Sequence, residues 1–280
     1  MTIATQSTAV AEESFGSPAR PSRRLGRMAW LLIQSGVFVL AGGVWWIASA
    51  LLPPTTMPPP DEVLARFFSL LLTPEFWSAT GTTVITFLAA FVVCVAVGVP
   101  LGLAIGASTV ATQSTRLLFD FLRTIPPIAI LPLLLLMFGP ELQMVFILAV
   151  AGAIWPILIQ SIYAARQGEA LLVEMAASFR IPRSWFIWRI FLPGTLPFVM
   201  TGLRLGATIC LLLTVAGELL GNAPGVGFEI AQAQAFYDNS RMYAYVLVSA
   251  ILGLVVNGFF WETQRHVLRW HPSMRGEERS

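Results

Sequence analysis

The sequence predicts an all-α integral membrane protein of six transmembrane helices with both termini in the cytoplasm. Three observations carry that prediction. Of 280 residues, 56% are hydrophobic and only 11% are charged, whereas an average soluble domain carries about 25% charge. Apolar intervals free of charge recur along the chain, and a membrane helix needs about 20 such residues. Fourteen of the seventeen arginines fall on one side of the resulting topology. The low charge excludes a soluble globular enzyme, and the high apolar content excludes a disordered chain.

The spans follow from the charge-free intervals, near 28–52, 82–106, 120–139, 142–163, 195–220 and 242–262. The first is too long for the apolar core of a signal peptide, roughly 7–15 residues, although Ala48-Ser49-Ala50 resembles a cleavage site. Before it, residues 1–27 form a polar cytoplasmic tail. After it, Pro53, Pro54, Pro58, Pro59 and Pro60 dictate an extended exit, since proline fixes its backbone angle and has no amide donor. Val63, Leu64, Phe67, Phe68 and Leu71 then recur at helical spacing, which predicts a short amphipathic helix on the outer membrane surface. The third span contains Pro126, Pro127 and Pro132 and ends at Phe138-Gly139-Pro140. Broken backbone at membrane depth is tolerated where it is buried in protein or lines a cavity. It reads either as a kinked packing helix or as a segment lining a pathway.

Arginine placement sets the orientation. Arg20, Arg23, Arg24 and Arg27 lie in the N-terminal tail, and Arg116 and Arg123 in the second loop. Arg166, Arg180, Arg183 and Arg189 lie in the fourth loop, and Arg265, Arg269, Arg275 and Arg279 near the C-terminus. The opposite side has only Arg66 and Arg241, with the acids Asp61, Glu62, Glu75, Glu141, Glu229 and Asp238. Arg204 lies inside the fifth span, where a charge is costly unless paired or hydrated. It reads as a pathway candidate or as a structural side chain that snorkels or pairs. Glu218, at the outer end of that span, reads as a gate candidate or a solvated helix end.

Every basic residue is arginine. Without lysine there is no Walker A loop and no lysine Schiff base, so any ATP must bind another subunit. A net charge of +2 gives no footing for nucleic acid. Cys94 and Cys210 lie in apolar runs and read as packing residues; His266 and His271 lie outside them. No cluster of His, Cys, Asp or Glu suggests a metal, and no catalytic residue is expected.

The fourth loop, 167–193, is too patterned for a passive connector. Leu171, Leu172, Met175, Ala176 and Phe179 recur at three and four, and a second helical stretch follows Pro182 with Trp185, Phe186, Trp188, Ile190 and Phe191. Large apolar side chains on a water-facing loop mark a partner surface, or a hairpin lying on the membrane.

Glu174-Met175-Ala176, followed by Ile190-Phe191-Leu192-Pro193, resembles the EAA loop of binding-protein-dependent ABC importer permeases. Ile125-Pro126-Pro127, Leu131-Pro132-Leu133, Trp155-Pro156-Ile157-Leu158, Thr201-Gly202-Leu203-Arg204, Gly225-Val226-Gly227 after Glu218, and Arg269-Trp270-His271-Pro272 resemble the nitrate, sulfonate, taurine and bicarbonate branch. The resemblance covers residues 53–273. It implies a type I importer permease fold at 28–270, with 271–280 a cytoplasmic tail, in a bacterial inner membrane. It implies that Glu174, Met175, Ala176, Ala177, Arg180, Ile190, Leu192 and Pro193 form a coupling loop that docks on an ABC ATPase. It also implies a homodimer of permeases, two ATPase subunits holding ATP and magnesium, and an extracytoplasmic binding protein. This chain itself binds no cofactor. Met175 stands where the family has alanine. Arg180 stands where it has glycine, which permits a tight turn or close backbone approach; arginine forbids the closest version and adds a cation. The branch suggests a small anion; relatives carry vitamin precursors or aromatic acids. An ion-coupled carrier would show acidic or histidine relays within the spans, and Arg204 is the one charge clearly inside.

Overall fold

The computed structural model describes residues 27–53, 56–167 and 175–269. Pro54, Leu171, Leu172, Glu174, Trp270, His271 and Pro272 lie outside the described residues, as do nearly all of the two tails.

The described chain is helical. It comprises α1 (Arg27–Leu51), α2 (Pro60–Leu70), α3 (Pro74–Gly106), α4 (Thr109–Leu122), a 3-10 turn (Pro127–Ile130), α5 (Leu131–Phe138) and α6 (Leu142–Arg166). There follow α7 (Arg183–Phe186), a π turn (Ile187–Phe191), α8 (Leu192–Gly221), α9 (Val226–Ala235) and α10 (Asn239–Val267). By length and composition four segments suffice to cross a membrane: α3, α6, the stretch containing α8, and α10. A fifth results if α4 and the 127–138 segment are one span, bent by 68°. In α1 the described apolar stretch is Ser35–Leu51.

The third expected span, 120–139, is therefore not one helix. Its chain leaves α4 at Arg123 and re-enters helix only at Pro127. Proline disfavours helical backbone in the residue before it, and here Ile125 precedes Pro126 and Pro126 precedes Pro127. Pro126 is accordingly extended, at φ −62° and ψ 122°.

The core lies where α3, α6 and α8 meet. Phe87, Ala90 and Cys94 of α3 pack with Ala149, Ala153 and Ile157 of α6 and Ala207, Cys210, Leu211 and Leu213 of α8. In lipid, helices gain little from hiding apolar surface, so close backbone approach through small residues is what holds them. Gly102 supplies that approach between α3 and α6: a methyl group there would stand 2.6 Å from the Leu158 carbonyl oxygen and 2.6 Å from Ser161 Cβ. Gly202 does so between α8 and α6, where a methyl group would meet Gln160 Cβ at 2.7 Å. Cys94 and Cys210 are buried and free, as packing residues should be.

The short helix expected after the proline cluster is α2; Leu64 and Phe68 of its apolar face are exposed, and its other edge is buried in the protein. Val63 and Leu70 are buried. Leu70 packs with Phe76, Val226, Ile230, Ala244, Tyr245 and Val248, and Phe67 joins the same cluster. Arg66 pairs with Asp238 at 3.2 Å, Arg241 with Glu229, and Ser240 donates to Glu62. Asp238 and Glu229, two of the six acids expected on this side, thus pair with its two arginines.

Candidate functional site

Two regions concentrate functional geometry: the loop between α6 and α8, and the opposite end of α8.

In the loop, residues 175–178 form one helical turn. It ends in a Schellman motif. The Ile181 amide donates to the Ala176 carbonyl at 2.9 Å, and the Arg180 amide to Ala177 at 3.1 Å. Arg180 sits between them at φ 51°. That is the left-handed region glycine occupies without cost and other residues do not. The chain makes this tight turn with arginine in the place where the family has glycine. The αL residue satisfies two carbonyls that a helix end leaves orphaned.

Pro182, extended at φ −58° and ψ 139°, starts the next stretch. It runs through α7 and the π turn into α8 without a gap. Pro193, in the first turn of α8, has no amide to bond four residues back. Ala176 is buried, whereas Met175, Ala177 and Arg180 are exposed, and Ile190, Leu192 and Pro193 are half-buried. Phe179 is 74% exposed and Trp188 71%. Trp185 is exposed as well, with the Arg189 guanidinium 5.0 Å from its ring centroid. The loop presents aromatic surface held by a continuous backbone.

At the other end of α8, Glu218 is wholly enclosed, at 0% exposure. Its Oε2 accepts from Thr83 Oγ1 at 2.9 Å and from the Gly227 amide at 3.0 Å. The Val226 amide donates to Thr83 Oγ1 at 2.9 Å. Val226 and Gly227 are the first residues of α9, whose amides have no partner within the helix. The carboxylate and hydroxyl together cap α9 and tie it to α3 and α8. Gly225 makes room: its φ of 148° suits only glycine, and a methyl group there would strike the Glu218 carboxylate. Asn222, at φ 57°, ends α8 so that the chain can turn back over Glu218. Glu218 is thus neither a solvated helix end nor exposed at an outer surface.

Arg204 is half-buried, and its Nε donates to Asn257 Oδ1 of α10 at 2.9 Å. Pro127 packs against Gly152 of α6, whereas Pro126 and Pro132 are exposed. These pathway candidates are not brought together with Glu218. Sequence reasoning missed Thr83 and Asn257. The only signal was polarity at apolar positions: Thr80, Thr82, Thr83 and Thr86 in α3, and one asparagine deep in α10. Among the described residues no group of three or more His, Cys, Asp or Glu is placed to hold a metal.

Residues 98–260, more than half the chain, match the family described as binding-protein-dependent transport system inner membrane component. The chain belongs to this family. It is 32% identical over 183 residues to SsuC of Bacillus subtilis, named as an aliphatic sulfonates transport permease, covering 64% of this chain and 66% of SsuC. It is 26% identical over 199 residues to the taurine transport system permease TauC of Escherichia coli, covering 71% and 72%. The nitrate import permease NrtB of Leptolyngbya laminosa is 30% identical over 160 residues, covering 57% of each. A chain of the inward-facing MetNI methionine ABC transporter matches 66% of this chain and 93% of its own length, with a TM-score of 0.58 and 17% identity. That likeness shows the fold, an all-α type I importer permease, which is the class expected from the EAA-like loop.

Proposed function

We propose that this chain is the membrane-spanning permease subunit of an ATP-driven ABC importer. Its solute is a small anion, such as a sulfonate, taurine, nitrate or bicarbonate, delivered by an extracytoplasmic binding protein. The relatives named for sulfonate, taurine and nitrate transport support that class. Two copies form the pathway in a bacterial inner membrane. Each has six spans and cytoplasmic termini, and two ATPase subunits hold ATP and magnesium. The chain does no covalent chemistry.

The observation that carries the reading is the exposed aromatic loop, whose last stretch runs from Arg183 unbroken into α8. Glu174, Met175, Ala176, Ala177 and Arg180 are the docking residues, and Ile190, Leu192 and Pro193 link them to the span. A partner gripping this turn moves α8 as a lever. ATP binding closes the partners and opens the pathway outward; hydrolysis resets it. Pro126, Pro127, Pro132, Arg204 and Glu218 remain the candidates for pathway or gate.

The test is purification of the tagged chain from its native membranes in mild detergent, with mass spectrometry of what accompanies it. An ABC ATPase at one copy per permease is the expected result. Recovery of the chain alone, active in vesicles without ATP, overturns the reading in favour of an ion-coupled carrier.

A further inference from the structure

A cleft of about 260 Å³ lies between α4 and the last two turns of α6. One face of α4 lines it, with Thr112, Thr115, Arg116, Phe119, Asp120 and Arg123 at helical spacing. The facing side of α6 adds Ile159, Tyr163 and Arg166. The Phe119 and Trp155 rings, with centroids 6.0 Å apart, bring the two helices together at one place.

The charge in this cleft is unbalanced. Three guanidinium groups face one carboxylate. Arg123 pairs with Asp120 at 3.0 Å and Arg116 reaches the same carboxylate at 3.8 Å. Arg166 has no acidic partner among the described residues. The threonine hydroxyls are occupied by backbone: Thr112 donates to Ile105 or Ser108, and Thr115 to Ala111. The free hydrogen-bonding capacity is therefore cationic, from arginine forks suited to a planar or tetrahedral oxyanion, with the phenol of Tyr163 beside them.

We propose that this cleft is an oxyanion site, in which Arg116, Arg123 and Arg166 hold a sulfonate or phosphate group and Asp120 competes for the same guanidinium groups. The oxyanion has two possible sources. One is the transported solute, a case that rests on the anion-import reading above. The other is a phospholipid headgroup, for which the exposed Val110, Leu117, Leu118 and Phe121 of α4 offer acyl contact beside the cleft; that case is independent of what is transported. The internal competitor makes the site weak and releasable.

The experiment uses the full chain, with whatever subunits accompany it, in nanodiscs. In phosphatidylcholine discs, ethanesulfonate binding is measured by calorimetry. In discs containing phosphatidylglycerol, native mass spectrometry reads retained lipid. Wild type is compared with Arg116→Gln/Arg123→Gln/Arg166→Gln, with the corresponding triple lysine variant, and with Asp120→Asn. The expected result is a loss of about tenfold or more in the glutamine variant, and partial retention with lysine, which keeps charge but not the fork. Asp120→Asn gains about threefold at low salt, less as salt screens it. That gain cannot arise from misfolding. A response to ethanesulfonate assigns the site to the solute, and a response in lipid retention assigns it to the headgroup. If neither probe distinguishes the variants from wild type, the proposal is wrong. If the cleft binds oxyanion while the complex imports none, the site stands and the import reading falls. If the complex imports a sulfonate equally well in every variant and no probe binds, the site alone falls.

Discussion

Thr83 Oγ1 donates to Glu218 Oε2 at 2.9 Å across 135 positions of chain, and neither residue has any solvent exposure. Removing one partner of a buried hydrogen bond leaves the other with its full desolvation penalty, about 1–3 kcal/mol and more where charge is involved. Glu218→Ala strands the Gly227 amide and leaves the Thr83 hydroxyl only the Ala79 carbonyl, at 3.2 Å, as acceptor. It should destabilise by about 3 kcal/mol or more, and Thr83→Val by about 1–3 kcal/mol. Thermal unfolding in detergent reads both. The double variant should cost clearly less than the sum, because the two share one network. Additive losses would mean that Thr83 and Glu218 act separately.

Gly102 tests the packing of α3 on α6. With a methyl group only 2.6 Å from backbone and side chain, Gly102→Leu must push the helices apart. The expected result is loss of folded protein, read by size exclusion of the detergent-solubilised chain. Gly43→Ala is the control. Gly43 has nothing within 4 Å, and alanine favours a helix interior by about 0.5–1 kcal/mol. Equal behaviour of the two variants would rule out close approach as the binding principle of this core.

Most of the helices were legible because they are long apolar runs, and their ends erred for local reasons. The second span starts at Pro74, eight residues before the apolar run, because proline is suited to a helix's first turn. The break at Ile125-Pro126-Pro127 was visible as prolines, yet its size was not, since the bend depends on how α4 leans on α6. The helical turn at 175–178 was legible from local spacing. The Glu218 cap was not: Thr83 and Glu218 meet only after α3 and α8 pack, and no spacing rule reaches over 135 residues. The same holds for Arg204, whose charge was conspicuous and whose partner, Asn257, was not.

That pair carries its own prediction. Asn257→Leu removes the acceptor of the Arg204 Nε hydrogen bond and leaves a half-buried guanidinium without it. The cost should be about 1–3 kcal/mol. Arg204→Leu/Asn257→Leu should recover part of it, because replacing both partners with apolar groups is far less costly than orphaning one. Melting temperatures of the single and double variants decide the point. If uptake is abolished in the double variant while stability is recovered, Arg204 serves the pathway as well as the fold.

Arg180 yields the sharpest separation of backbone from side chain. Its φ of 51° costs a non-glycine residue roughly 1 kcal/mol, so Arg180→Gly should relieve strain while keeping the Ile181–Ala176 and Arg180–Ala177 backbone bonds. Arg180→Val should do the opposite, since a β-branched side chain tolerates positive φ worst. Neither change touches the exposed aromatic surface of Phe179 and Trp188. Under the proposed function, ATPase recovery with the chain should therefore hold for glycine and fall for valine. Ala177→Asp, which leaves the turn intact and places a charge on its exposed side, should reduce recovery as far as valine does. If valine leaves recovery and uptake unchanged, the turn at Arg180 is not what the ATPase grips. If aspartate at position 177 leaves them unchanged, the partner surface lies elsewhere on the loop.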